Sequence, residues 1–329
     1  MAAVMDSLTQ TITPQLTKQI GEMLGMDDSQ VTQGINIAAP LVLAALGNKV
    51  STAKGADEVL GSLKHNVANP VDAAVNGESD ALLQKLFGIG APKAASWIEN
   101  TIGIRIAPLL PFAAPLVMRA LQNETKSQAL DSAGLTALLK KENETYASAQ
   151  PQLASEINAA LDASANVNER AARLRAQFTD AEWNTLATTP ALAGYAVMMS
   201  SLSGPVGINK EMAALLEAMV DYGSAAEPDS LVGIVSREVT TPEQITALGA
   251  NRENALNLTR DACLEALRIL TEKETHAETL AYKAFVVNVA TRVASAAIDG
   301  GVMSIGGKPI TEEEQMTLDL IAAALAYQP

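Results

Sequence analysis

The side chains able to do chemistry are few, and they gather toward the end of the chain. Asp299, Glu312, Glu313 and Glu314 surround a glycine-rich stretch, and several carboxylate oxygens on a turn suit a hard divalent cation. These four are the candidate metal ligands. The EF-hand alternation of acids, then glycine, then a distant glutamate is absent, and three glutamates opening a helix also answer its dipole. Gly301 to Pro309 has the glycines of a phosphate loop, but Lys308 is followed by Pro309. A Walker A sequence needs Gly-Lys and then a hydroxyl for magnesium, so this stretch reads as a turn feeding a capped helix. His65 and His276 are the only histidines. His276 falls in the first turn of a helix opened by Thr275, with Glu278 as capping partner, which is a solvated place. Cys263, the one cysteine, lies in a stripe with Ala262, Ala266, Leu267 and Leu270 and reads as an inert core thiol. It leaves no disulfide framework and no thiolate cluster within one chain. Met198 and Met199 fall inside an apolar helix and read as core filling. No nucleophile–base–orienter set emerges, so no catalytic or cofactor-binding residue is assigned and no enzyme is expected.

Composition sharpens this. The chain has 329 residues, 48% of them hydrophobic but only 3% aromatic, so its cores are built from Ala, Leu, Val, Ile and Met. That leaves few platforms for stacking bases or sugars. A net charge of −14 argues against nucleic acid and against anionic membrane surfaces, both of which need clustered Lys and Arg. The charge is uneven: residues 1–147 carry 11 Lys and Arg against 14 Asp and Glu, the remainder 12 against 23. A domain boundary near residue 147 follows. The first residues lack a basic segment before an apolar core, so no signal peptide is expected and a cytoplasmic location is.

The elements that must position these residues are helices, and a repeat organises them. Ala38-Ala39-Pro40-Leu41-Val42-Leu43-Ala44-Ala45-Leu46 returns 75 residues later as Ala113-Ala114-Pro115-Leu116-Val117-Met118-Arg119-Ala120-Leu121, identical at seven of nine positions. Each copy is one unit burying its face against the other. Residues 1–66 form repeat one, with a helix from Thr11 to the C-capping Gly25 and a fresh start at Asp27-Asp28-Ser29-Gln30. Residues 67–80 connect, repeat two runs from Leu82 to Tyr146, and Lys140 to Asn143 is a polar exit. Ile102 to Leu121 approaches membrane length but carries Arg105, Arg119 and three prolines, so a buried, broken helical hairpin is expected and a membrane span is not.

Residues 148–177 read as a helical connector. Phe178-Thr179-Asp180-Ala181-Glu182-Trp183 then opens a helix with a capping box, stapled by Phe178 and Trp183. Residues 178–329 form an acidic domain that is itself doubled. Ala191 to Leu202, a glycine turn and Met212 to Tyr222 match Leu280 to Ile298, a glycine turn and Gln315 to Tyr327. Between the copies lie the one strand-like run, Leu231 to Val235, and a helix from Asn251 to Leu270. Thr311 with Glu314 forms a further capping box.

Two resemblances follow. A short helix, Leu-Gly, an acidic cap, Ala-Ala-Pro-Leu-Val-x-x-Ala-Leu and then Ala-x-x-Leu, over residues 8–66 and more loosely 82–141, resembles the bacterial YidB-like family. That likeness implies small helical units with a homeodomain-like substructure and no established activity. DNA binding does not carry over, because the signature helix here is apolar rather than basic. Ala296-Ala297-Ile298-Asp299-Gly300 through Ile310-Thr311-Glu312-Glu313-Glu314 resembles the TerB-like tellurite-resistance family. Its Ala-Asp-Gly turns imply paired helices with an acidic patch.

The expectation is an all-α chain of two helical domains, each of two pseudo-repeats, joined by a helical connector. Its expected role is a non-enzymatic scaffold or self-assembling protein, a homo-oligomer or the partner of another protein. Ile104, Leu109, Leu110, Phe112, Leu116, Val117 and Leu121 are the candidate interface. The alternative is a metal- or ligand-responsive stress protein acting through the acidic turn, with a divalent cation as its only cofactor.

Overall fold

A computed structural model describes residues 3–64, 69–200, 204–239, 241–296 and 310–328. Every regular element among them is helical and none is a strand, so the chain is all-α. It divides into two compact units, Met1–Asn168 and Glu169–Pro329, each with its own apolar core.

The first unit is one four-helix arrangement written twice. α1 (Ala3–Thr11), α2 (Pro14–Leu24), α3 (Asp28–Lys49) and α4 (Ala53–Leu63) are followed by a short α5 (Pro70–Val75). The second copy is α6 (Glu78–Phe87), α7 (Ala91–Ile102), α8 (Leu110–Ser127) and α9 (Ser132–Ala149). α3 packs on α8 and α4 on α9, while α1 reaches across to α8 and α6 to α3. Equivalent helices thus meet one another, as the halves of an isologous dimer do. The repeat therefore starts earlier than the recurring motif suggests: residues 70–80, within the expected connector, hold α5 and the start of α6, which is the counterpart of α1.

Local sequence sets the ends of these helices. Thr11 to Gly25 is not one helix, because Pro14 has no N–H to continue it and instead opens α2 at its first position. Thr13 caps that start, accepting from the Leu16 N–H at 3.2 Å. Gly25, at φ 65°, and Gly103, at φ 77°, close α2 and α7 in the left-handed region, which glycine enters without a Cβ clash. Asp27 and Gln30 cap α3 reciprocally at 2.8 and 3.0 Å. By length and composition α3 is the one described helix able to cross a bilayer, but 67% of its most apolar window is buried inside the unit. Ala38, Ala39, Leu41 and Val42 have no exposure at all, as befits a core helix that is apolar all round.

The stretch expected as an interface is core. Leu109, Leu110, Phe112, Leu116, Val117 and Leu121 are buried in the first unit's cluster, and Ile104 packs against it half-buried. The hairpin is broken as its prolines require, by a loop after Ile102 and a 3₁₀ turn at Ala107–Leu109. Its apolar surface packs against α3 and the flanking helices of the same unit. Lys140 to Asn143 is no exit either, since α9 continues to Ala149 and buries Glu142.

α10 (Pro151–Arg175) is the helical segment expected between the domains, but it is not a separate connector. Ile157, Ala160 and Leu161 complete the first unit's core, and Leu174 packs on the second. The division falls within α10, after Asn168. Asn168 donates to the Phe87 carbonyl at 2.7 Å and accepts from the Ile89 N–H at 3.0 Å, which holds the turn between α6 and α7.

The second unit is built on α11 (Asp180–Ser200), which packs against α12 (Gly204–Ala225), α15 (Ala255–Lys273), α16 (His276–Ala296) and α17 (Glu312–Ala324). Close approach is needed where α11 meets α12 and α16. A Cβ on Gly194 would stand 2.5 Å from a Leu215 methyl and 3.2 Å from one of Val293. Pro190 lies inside α11 and cannot donate to the Leu186 carbonyl four residues back. The Tyr282 hydroxyl of α16 takes that acceptor instead, at 2.7 Å and fully buried. The run Leu231 to Val235 is helical, α13, because Ser230 caps it through the Gly233 N–H at 3.1 Å. Its burial of Leu231 and Val235, four residues apart, also fits one helical face. A further short helix, α14 (Pro242–Thr246), leads toward α15.

Candidate functional site

The expected site residues do not converge. Asp299, His65 and the segment Gly301 to Pro309 lie outside the described residues. Glu312 and Glu313 are exposed in the first turn of α17. Glu314 is buried and turned back to the start of its own helix, accepting from the Thr311 N–H at 2.8 Å. No group of three or more His, Cys, Asp or Glu that could hold a metal ion occurs among the described residues. His276 is exposed at the first position of α16. Cys263 is wholly buried, and burial pushes its thiol up to about 12. That leaves it protonated and unreactive near neutrality. Met198 is buried in the core and Met199 packs half-buried against it.

The second unit offers another place. A shallow, open cleft of about 460 Å³ lies between α16 and the segment joining α12 to α13. Tyr222 and Phe285 supply aromatic surface, with ring centroids 6.3 Å apart and planes tilted by 66°. From α16 come Ala277, Glu278, Ala281, Ala284 and Asn288. They recur every three to four residues and so share one face of the helix. Three alanines on that face make the hollow, since larger side chains would fill it. Val286 and Val289 anchor the other side of α16 in the core, and Phe285 lies at the border, part of both the core and the cleft lining. Opposite, Glu227 and Ser230 line the cleft just before α13 begins, with Val232 in its first turn.

The charged side chains of the cleft are of one sign, set against the positive N-terminal ends of α13 and α16. Glu227 and Glu278 line it, and no Lys or Arg does. Glu278 was expected as the capping partner of Thr275, and half of that box is present. Its N–H donates to the Thr275 hydroxyl at 3.3 Å. Its carboxylate points elsewhere: Oε2 accepts from the Leu231 N–H at 3.2 Å, which ties α16 to the start of α13. Nearby cations are engaged by other groups, Arg170 by the Asp229 carboxylate, Arg292 by the Asp221 carboxylate and Arg237 by the Pro228 and Gly233 carbonyls. Glu274, four residues before Glu278, has its carboxyl raised above the ordinary value, first by burial and then by the Glu278 charge. Its Oε1 is buried with no hydrogen-bond partner among the described residues.

These residues escaped the reading of the sequence because three of them are ordinary alanines. The available signal was the small-residue stripe Ala277, Ala281 and Ala284 leading to Asn288. Nothing in the sequence brings Tyr222 and Glu227 to that stripe.

Residues 6–124 match the model of a family described as "Bacterial protein of unknown function (DUF937)". The match takes in most of the first copy and the second as far as α8, and the cleft lies outside it. No curated protein and no solved structure matches the chain.

Proposed function

We propose that the chain is a non-enzymatic binding protein, in which a duplicated helical scaffold accompanies a unit that holds a small ligand. The observation that carries this reading is the cleft on α16. It combines an apolar, partly aromatic floor with a few polar groups placed by capped helices, and it contains no nucleophile–base pair. The first unit is proposed as a YidB-like scaffold, supported by the match over residues 6–124 and by the doubled Ala-Ala-Pro-Leu-Val helix. The final helical pair is proposed as TerB-like, supported by the capped acidic start of α17. Self-association through residues 102–121 is no longer part of the proposal, because those side chains fill the core.

The test is a thermal-shift screen of small fragments against the full chain and its Ala281→Leu variant. Ala281 is exposed and lines the cleft, so leucine fills the hollow without entering the core. Hits that raise the melting temperature of the parent and vanish in the variant support the reading. Hits that persist equally in both, or no hits at all, overturn it.

A further inference from the structure

The chemistry of the cleft also selects among ligands, on the premise that the cleft binds one. We infer that it takes a small organic cation, a primary ammonium or guanidinium carried on a short apolar stem. Two carboxylates line the hollow and no cationic side chain does. The residues after 147 carry 12 Lys and Arg against 23 Asp and Glu, so the surrounding field draws cations toward it and repels anions. The half-buried Tyr222 ring adds attraction for a cation over its face. Ala277, Ala281 and Ala284 leave apolar room for a stem of a few carbons. Glu278 already spends Oε2 on the Leu231 N–H, and its Oε1 has no hydrogen-bond partner among the described residues. Asn288 supplies an amide oxygen for a second N–H of the ligand.

The experiment uses the full chain with three probes of equal length: n-pentylammonium, neutral 1-pentanol and pentanoate. Each is titrated by saturation-transfer NMR against the parent, Glu278→Gln and Ala281→Leu. Glutamine keeps the oxygen that accepts from Leu231 and removes only the charge. Glu227→Gln, on an exposed residue, gives the same reading should the first variant melt early. The expected result is pentylammonium binding at least about fivefold tighter than pentanol, with pentanoate silent. Either glutamine variant narrows that preference, and Ala281→Leu abolishes binding of both probes. If pentanol binds as tightly as pentylammonium and both are lost in Ala281→Leu, the cation is refuted while the cleft stands as a ligand site. If no probe binds, or binding ignores Ala281→Leu, the cleft reading falls and the cation with it.

Discussion

At the scale of single residues, the chain's polar groups mostly serve its own fold, and two of them make that measurable. Glu182 Oε2 receives the Lys273 ammonium at 2.5 Å and the Thr179 N–H at 2.8 Å. Those contacts, the lysine first, hold its carboxyl down to about 2 from an ordinary 4.5. A depressed carboxyl stabilises the fold above its unfolded value and loses that contribution as pH falls through the folded one. The melting temperature of the second unit is therefore expected to drop between about pH 4.5 and 2, and Glu182→Gln to flatten that drop. A variant with the parent's full acid sensitivity would count against the pair. Tyr282 tests a different debt, the acceptor stranded by Pro190. Tyr282→Phe leaves the Leu186 carbonyl buried and unpaired and is expected to lower stability by about 1–2 kcal/mol in urea unfolding. Pro190→Ala restores a helical N–H to that carbonyl, so the two changes together should be less damaging than their sum. Strict additivity would show that they do not share one acceptor.

At the scale of elements, capping was legible and packing was not. The Thr179–Glu182 and Thr311–Glu314 boxes, the Asp27–Gln30 start and the Gly25 stop are all where residue types at short spacing put them. Phe178 and Trp183 staple the entry to α11, with ring centroids 5.8 Å apart. Each of these interactions is closed within a few residues, whereas in the Thr275–Glu278 box a tertiary donor, the Leu231 N–H, took the carboxylate away. The α13 run was harder to read, because its apolar side chains fit either a strand or a helix, and the Ser230 cap together with their burial decides. Gly194 shows propensity losing to packing. Gly194→Ala should gain up to about 1 kcal/mol in helix propensity. The added Cβ instead drives into Leu215 where α11, α12 and α16 meet. The expected net result is a loss of about 1–2 kcal/mol, read as a lower denaturant midpoint with an unchanged slope. A stabilised variant would mean that the three helices have room to move apart.

At the scale of the whole molecule, two cores imply two separable transitions, and the chain carries one tryptophan in each unit to report them. Leu116 is fully buried in the first core, so Leu116→Asp places an unpaired charge there and is expected to remove about 3–5 kcal/mol from that unit. Trp97 should register the loss while Trp183 keeps its parental unfolding midpoint. A simultaneous shift of both signals would make the chain one cooperative body.

What the sequence by itself determined was whatever short-range chemistry or an apolar count can fix. That includes the all-α class, the doubled Pro-containing helix, the caps and the burial of Cys263. It placed the candidate metal ligands and the candidate interface by composition alone, and burial then turned the interface residues into core. Only the tertiary structure decided that α10 serves both cores, that α1 and α6 cross between the copies, and that Tyr282 answers Pro190. It alone brought Tyr222 and Glu227 to the alanine face of α16. The physical reason is range: a cap or a proline acts on its neighbours along the chain. A hollow needs small side chains on one helix opposed by groups dozens of residues away, and that pairing exists only after the helices have packed.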